Sequence, residues 1–291
     1  MMFFKVILLQ SLITLFGDGT LSTDKVDYGI AFTPDENVAY VVRHDGKWGS
    51  RENPPSKIHR YVKKDENWIN SGYADFSDKD SPWSDSDVFI SQNGEKAFFV
   101  SNRPYSGKKG NRDPDIWMVK KDGNSWGEPT PLDIINSDGY EASPVTDGDG
   151  NVYFTSIREE GPGLGDIYVS MITKDGRYSK PKLLEGKVNS PHGEWNLIIS
   201  LQGDWMIFES SGRPEGLSPY GDLYFSKKDK FGMWSSPVHI DRINTTGSDL
   251  NPRIIYESKI IVWASSKELG HTGSNFYSLN FEELGFEISQ D

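Results

Sequence analysis

The stretch Ser101-Asn102-Arg103-Pro104 … Asp115-Ile116-Trp117 recurs along the chain. It returns as Ser156-Ile157-Arg158 … Asp166-Ile167-Tyr168, as Ser211-Gly212-Arg213-Pro214 … Asp222-Leu223-Tyr224, and as Ser265-Ser266-Lys267 … Asn275-Phe276-Tyr277. A degenerate copy stands in front, Val42-Arg43-His44 … His59-Arg60-Tyr61. The closing aromatic falls at 61, 117, 168, 224 and 277, at steps of 56, 51, 56 and 53. A period of about 50 residues with β patterning marks a propeller.

Each copy reads as four strands. In the second, Val88-Phe89-Ile90 opens, and Gln92-Asn93-Gly94-Glu95 turns the chain, because Asn-Gly supports positive φ. Lys96–Ser101 is the second strand, 102–114 a long loop, and Asp115–Lys120 the third strand. An aromatic marks the fourth strand of each copy: Trp68, Trp126, Tyr178, Trp234 and Phe286. The expectation is an all-β, five-bladed β-propeller of four-stranded antiparallel blades, closed by packing blade five on blade one. Residues 20–26 are a candidate extra edge strand.

The remaining composition fits. Aromatics are 13% of the 291 residues, with 29 Gly and 16 Pro, which suits short strands and tight turns. The net charge of −12 and the lack of a Lys/Arg-rich run argue against a nucleic-acid partner. The absence of Cys excludes disulfides and thiolate metal sites. Lys5 followed by the apolar run Val6–Phe16 reads as an export signal over residues 1–17, too short to span a bilayer. The plainer alternative is a buried first strand. Residues 18–291 then form a single propeller domain, periplasmic or secreted, monomeric, without an integral membrane segment.

Several motifs together carry a resemblance: Pro144 … Asp149-Gly150, Phe99-Val100-Ser101-Asn102-Arg103-Pro104, Gly165-Asp166-Ile167-Tyr168 and Trp126 … Pro129. In register they resemble the WD40-like repeat of TolB-type propellers. That resemblance implies an exported bacterial protein and leaves activity open, since the fold hosts many functions.

Candidate residues fall into two periodic sets. Arg103, Arg158 and Arg213 recur with Asp115, Asp166 and Asp222. A group repeated in most blades solves a problem the blades share, so these are expected to be structural. Asp85 with Asp87, Glu141, Glu194 and Asp249 stand before each first strand, with Asp27 the counterpart in copy one. They are expected to crowd one channel mouth as a ligand-binding ring; the alternative is capping and pairing with the repeated Arg. Trp195 breaks the period, since copies two, three and five carry Ser86, Ala142 and Leu250 there, although copy one has Tyr28. An aromatic beside carboxylates suits a sugar or peptide platform. Trp48, Tyr105 and Tyr220 are the aromatics expected on the variable loops.

Asp147-Gly148-Asp149-Gly150-Asn151 resembles the start of a calcium loop, but Arg158 stands where the twelfth-position Glu is needed, so a turn is expected. The five His show no metal-ligand spacing. No metal, cofactor or catalytic residue is assigned. The functional expectation is a non-catalytic propeller binding a protein, peptide or glycan on its loop-rich face. The alternative is a glycosidase-like enzyme with carboxylates in the central channel. By sequence the periodic carboxylates look equivalent, whereas hydrolysis needs an acid and a base in different surroundings. An open pocket holding unequal carboxylates and Trp195 would favour the enzyme.

Overall fold

A computed structural model describes residues 12–47, 53–106, 113–266 and 273–286. Five antiparallel sheets follow one another along the chain. Blade one runs from Val26–Phe32 through Val38–His44 and Lys57–Lys64 to Asn67–Tyr73. The first strands of the next four blades are Asp85–Ile90, Glu141–Thr146, Gly193–Ile199 and Asp249–Ile255. Each first strand contacts that of the next blade, and the fifth returns to the first. This closed ring is a five-bladed β-propeller, as the repeat predicts.

The core is divided into five buried clusters, one at each blade interface. Strand alternation explains this. Phe98 and Ile116 pack towards blade three, while their neighbours Phe99 and Trp117 pack towards blade one. A blade strand is apolar on both faces because both faces are covered.

The outermost strands differ from expectation. Trp126 pairs with Lys121, Tyr178 with Ile172 and Trp234 with Lys228. These aromatics close the hairpin after the third strand. The outer strands come later, at Thr130–Pro131, Lys182–Leu183 and Val238–His239. Blade five takes its fourth strand from the other end of the chain: Thr14 pairs with Ser278 and Leu15 with Tyr277. The ring is therefore closed by strand pairing as well as packing, and by residues 14–15 rather than 20–26. Phe286 follows a short 3-10 turn, Phe281–Leu284, and stacks on Phe225 of blade four at 4.0 Å. Among the described residues no helix is long and apolar enough to cross a membrane.

Candidate active site

The repeated Arg side chains brace the blades. Arg103 donates from Nη2 to Asp85 (2.7 Å) and to the Phe76 carbonyl (2.9 Å), and from Nε to Ser101 Oγ. Arg158 does the same to Glu141, the Ile135 carbonyl and Ser156, and Arg213 to Glu194, the Val188 carbonyl and Ser210. Each guanidinium lies over the closing aromatic of its own repeat: Trp117, Tyr168 or Tyr224, at 4.9–5.2 Å. Blade one varies the device, since Arg43 sits directly opposite Asp27 on the second strand and bonds it from there. In blade five the indole of Trp263 donates to Asp249 at 3.3 Å.

Asp85, Glu141, Glu194 and Asp249 are thus 0% exposed, inside the protein. Their oxygens also accept from Ser77, Ser137, Ser190 and Thr245. Burial pushes the Glu194 carboxyl up to about 7, against the pull of Ser190 and Arg213. The third-strand acids do a different job from the Arg. Asp166 accepts the Gly163 N–H (3.0 Å), and Asp222 accepts those of Leu217 (2.6 Å) and Ser218 (3.2 Å), fixing the loops that precede them. Asp115 is buried at the matching place.

The residues that line the channel mouth come two positions after each acid. There the first strand slips register against the second, at Ser86/Phe89, Ala142/Val145, Trp195/Ile198 and Leu250/Arg253. Asp87, Ser143, Asn196 and Asn251 take left-handed backbone at these bulges, with φ of 46°, 55°, 43° and 50°. Asp and Asn tolerate that region better than most residues. A bulge re-aims a side chain, and all four line one funnel. All five blades contribute to it: Tyr28, Asp87, Tyr140, Trp195, Glu209 and Leu250 are among its walls. Its volume is about 670 Å³, counting space open to solvent.

Of the predicted ligand set, Trp195 and Asp87 line this funnel, whereas Asp85, Glu141, Glu194 and Asp249 do not. Its ring meets Tyr140 edge to face at 5.9 Å. Tyr220, 55% exposed, stands on the rim, Tyr105 packs on Trp117, and Trp48 lies outside the described residues. The Asp147 carboxylate accepts from the backbone and amide of Asn151, as a turn requires.

Sequence reasoning missed Glu209, which faces Trp195 across the blade-four hairpin. Burial pushes its carboxyl up to about 8, and the negative charges of Asp87, Asp249 and Asp222 add to this against the Asn196 hydrogen bond. Asp87 is also raised by burial, but the Ser143 N–H (3.0 Å) and the Arg253 charge oppose that shift. Two carboxylates, each 6% exposed, therefore share one funnel in unlike surroundings. A signal for the site was present. Gly stands before the third-strand Asp in two copies, Gly165 and Gly221. A Cβ on Gly165 would collide with the Trp195 indole, and one on Gly221 would come within 2.6 Å of Glu209 Oε1. The two glycines make room for the two site residues.

No family model and no curated protein sequence matches the chain. Its fold is similar to that of solved propellers. A GH43 endo-arabinanase from Bacillus licheniformis is 13% identical, with a TM-score of 0.51 over 88% of this chain and 93% of that one. A putative glycoside hydrolase from Parabacteroides distasonis is 11% identical, with a TM-score of 0.51 over 97% and 95%. The tricorn protease gives the same score at 12% identity, but this chain spans 26% of its length. At such identities the likeness shows the five-bladed fold and not a TolB-type family. The expectation of a non-catalytic binder is corrected here. The neighbours that match over most of both lengths are glycosidase structures, and the funnel pairs Asp87 of the periodic set with Glu209, a carboxylate outside that set and with different partners.

Proposed function

We propose that this protein is a glycoside hydrolase working in the funnel, with Glu209 as the proton donor and Asp87 as the ionised base or nucleophile. The observation that carries this reading is that Asp87 and Glu209 line one cavity with different partners: the Ser143 N–H and the Arg253 charge act on Asp87, the Asn196 amide and neighbouring carboxylates on Glu209. Glycosidic cleavage needs one carboxylic acid that keeps its proton near neutral pH and one carboxylate that loses it. Glu209, with its carboxyl near 8, suits the first role; Asp87, where the Ser143 N–H and the more distant Arg253 charge work against the upward push of burial, suits the second.

The walls suit a neutral sugar. Trp195, Tyr140, Tyr28 and Tyr220 offer apolar ring faces, and Ser143, Asn196 and Asn251 offer hydroxyl and amide groups. Neither Lys nor Arg is among the described lining residues, so nothing there favours an acidic sugar. The titles of the similar structures, an endo-arabinanase and a putative glycoside hydrolase, support the same class. The apolar run at residues 6–16 supports export, and the registered repeat motifs support kinship with TolB-type repeats; both rest on sequence.

The test is turnover of a panel of neutral polysaccharides and aryl glycosides. Glu209→Gln should lower the rate on natural linkages by roughly 10²–10⁴-fold. It should lose much less on an aryl glycoside whose leaving group departs without a proton. Absence of turnover across the panel, or a Glu209→Gln enzyme as fast as wild type on natural linkages, would sink the proposal.

A further inference from the structure

The opposite end of the channel holds a second cavity. It is lined by the hairpin ends of the blades, with Phe32, Phe89, Ile198 and Ile254 among its walls and Gln92 at its edge. Among the described residues one cation lines it. Arg253 sits on the first strand of blade five, past the bulge, and is 5% exposed.

Each brace guanidinium described above, Arg43, Arg103, Arg158 and Arg213, has a buried carboxylate within bonding distance. Arg253 does not. Among the described residues no carboxylate lies within 4.0 Å of it. Its Nη1 donates to the carbonyls of Pro252 (2.7 Å) and Leu197 (3.4 Å), and its buried Nε has no acceptor. Glu36, the carboxylate in the cavity wall, is committed elsewhere: it accepts from the N–H of Glu257 (2.8 Å) and from Ser258 Oγ (2.6 Å). Asp87, on the other side of the channel, acts on Arg253 at longer range. Burial pulls the Arg253 pKa down to about 10, which still leaves it charged at neutral pH. A buried cation with an idle donor is costly unless an anion meets it.

We infer that this second cavity is a binding site for a small monocarboxylate with a short apolar tail, its carboxylate held by Arg253. Guanidinium and carboxylate match in shape and charge, and Arg253 is the cation among the described lining residues. The apolar side chains around Arg253 take the tail, since the walls are largely Ile, Phe and Leu. The site stands apart from the funnel and does not rest on the glycosidase reading. Its occupant reaches the protein from the hairpin face and not from the face that carries Trp195.

The experiment is calorimetric titration of the full chain with butyrate, and with butyramide as its neutral counterpart. Butyrate should bind, and butyramide should bind roughly tenfold or more weakly, the usual worth of a hydrogen bond to a charged group. Chloride should bind more weakly than butyrate, because it leaves the apolar walls unused. Arg253→Met should abolish the preference for butyrate over butyramide. As that change removes a buried group, a second variant is needed. Gln92→Trp adds bulk at the exposed rim without touching Arg253, and should weaken butyrate binding while circular dichroism and melting stay as in wild type. No binding of butyrate, equal binding of butyramide or chloride, or full affinity in Gln92→Trp would overturn the inference.

Discussion

Asn196 donates its side-chain amide to the Glu209 carboxylate, and its backbone N–H to Ser143 Oγ at 3.1 Å. Ser143 in turn donates its backbone N–H to Asp87 at 3.0 Å. The two funnel carboxylates come from blades two and four, yet they belong to one hydrogen-bonded network crossing blade three. Such a network fixes both groups, so a change at Asn196 should be felt at each carboxylate.

The raised pKa of Glu209 makes stability depend on pH. The unfolded chain loses this proton near the ordinary value of 4.5, whereas the folded protein keeps it to about 8. Between those values the folded state binds more protons, so its stability falls as pH rises, by up to about 1.4 kcal/mol per pH unit for this group. Glu209→Gln removes the titration. Urea melts at pH 5 and pH 8 should show a smaller loss for the variant than for wild type. An identical loss would mean that Glu209 titrates normally.

The Arg braces should matter far more than surface pairs. Glu194 is fully buried, and Arg213 is its cationic partner at 2.7 Å. Arg213→Met should destabilise the fold by about 3–5 kcal/mol, since it strands a buried carboxylate. Lys79 and Asp80 form an exposed pair, and Lys79→Ala should leave the denaturation midpoint close to that of wild type. Equal midpoints for the two variants in denaturant would contradict the bracing role.

Gly165 seats the Trp195 indole. Gly165→Ala should push the ring into the funnel and raise KM while the secondary structure holds. Trp195→Ala should raise KM with little loss of stability, because Ala142 fills the equivalent place in blade three. If Trp195→Ala lowers the melting point strongly and leaves KM unchanged, the indole is a plug and not a platform.

Thr14 and Leu15 lie at the end of the expected export signal, yet they complete blade five. Phe16 adds a backbone bond to Phe276 at 2.8 Å. A chain starting at Asp18 should therefore melt at a lower temperature than one starting at Leu12. Mass spectrometry of the protein isolated from its native cells gives the native start. An unchanged melting point for the shorter chain would show that the pairing contributes little.

What the sequence determined by itself is the blade. Asn93-Gly94 fixes a hairpin turn, runs such as Ala97–Val100 fix a strand buried on both faces, and five spaced copies fix the count. These signals are local, because turn geometry and strand periodicity act over a few residues. The outer strands escaped it, since two-residue strands such as Thr130–Pro131 are too short to show a period. Trp195 was legible as a break in the repeat. Glu209 was not, because one carboxylate in the apolar strand Trp205–Ser211 has no meaning until its neighbours are known. Only the tertiary structure decided which acids are braces and which face the funnel. Asp85 and Asp87 are two residues apart, yet the bulge between Ser86 and Phe89 gives them different work. Arg103 holds the first inside the blade, and the left-handed backbone at the second places it on the channel wall, where the closed ring brings it into one cavity with Glu209.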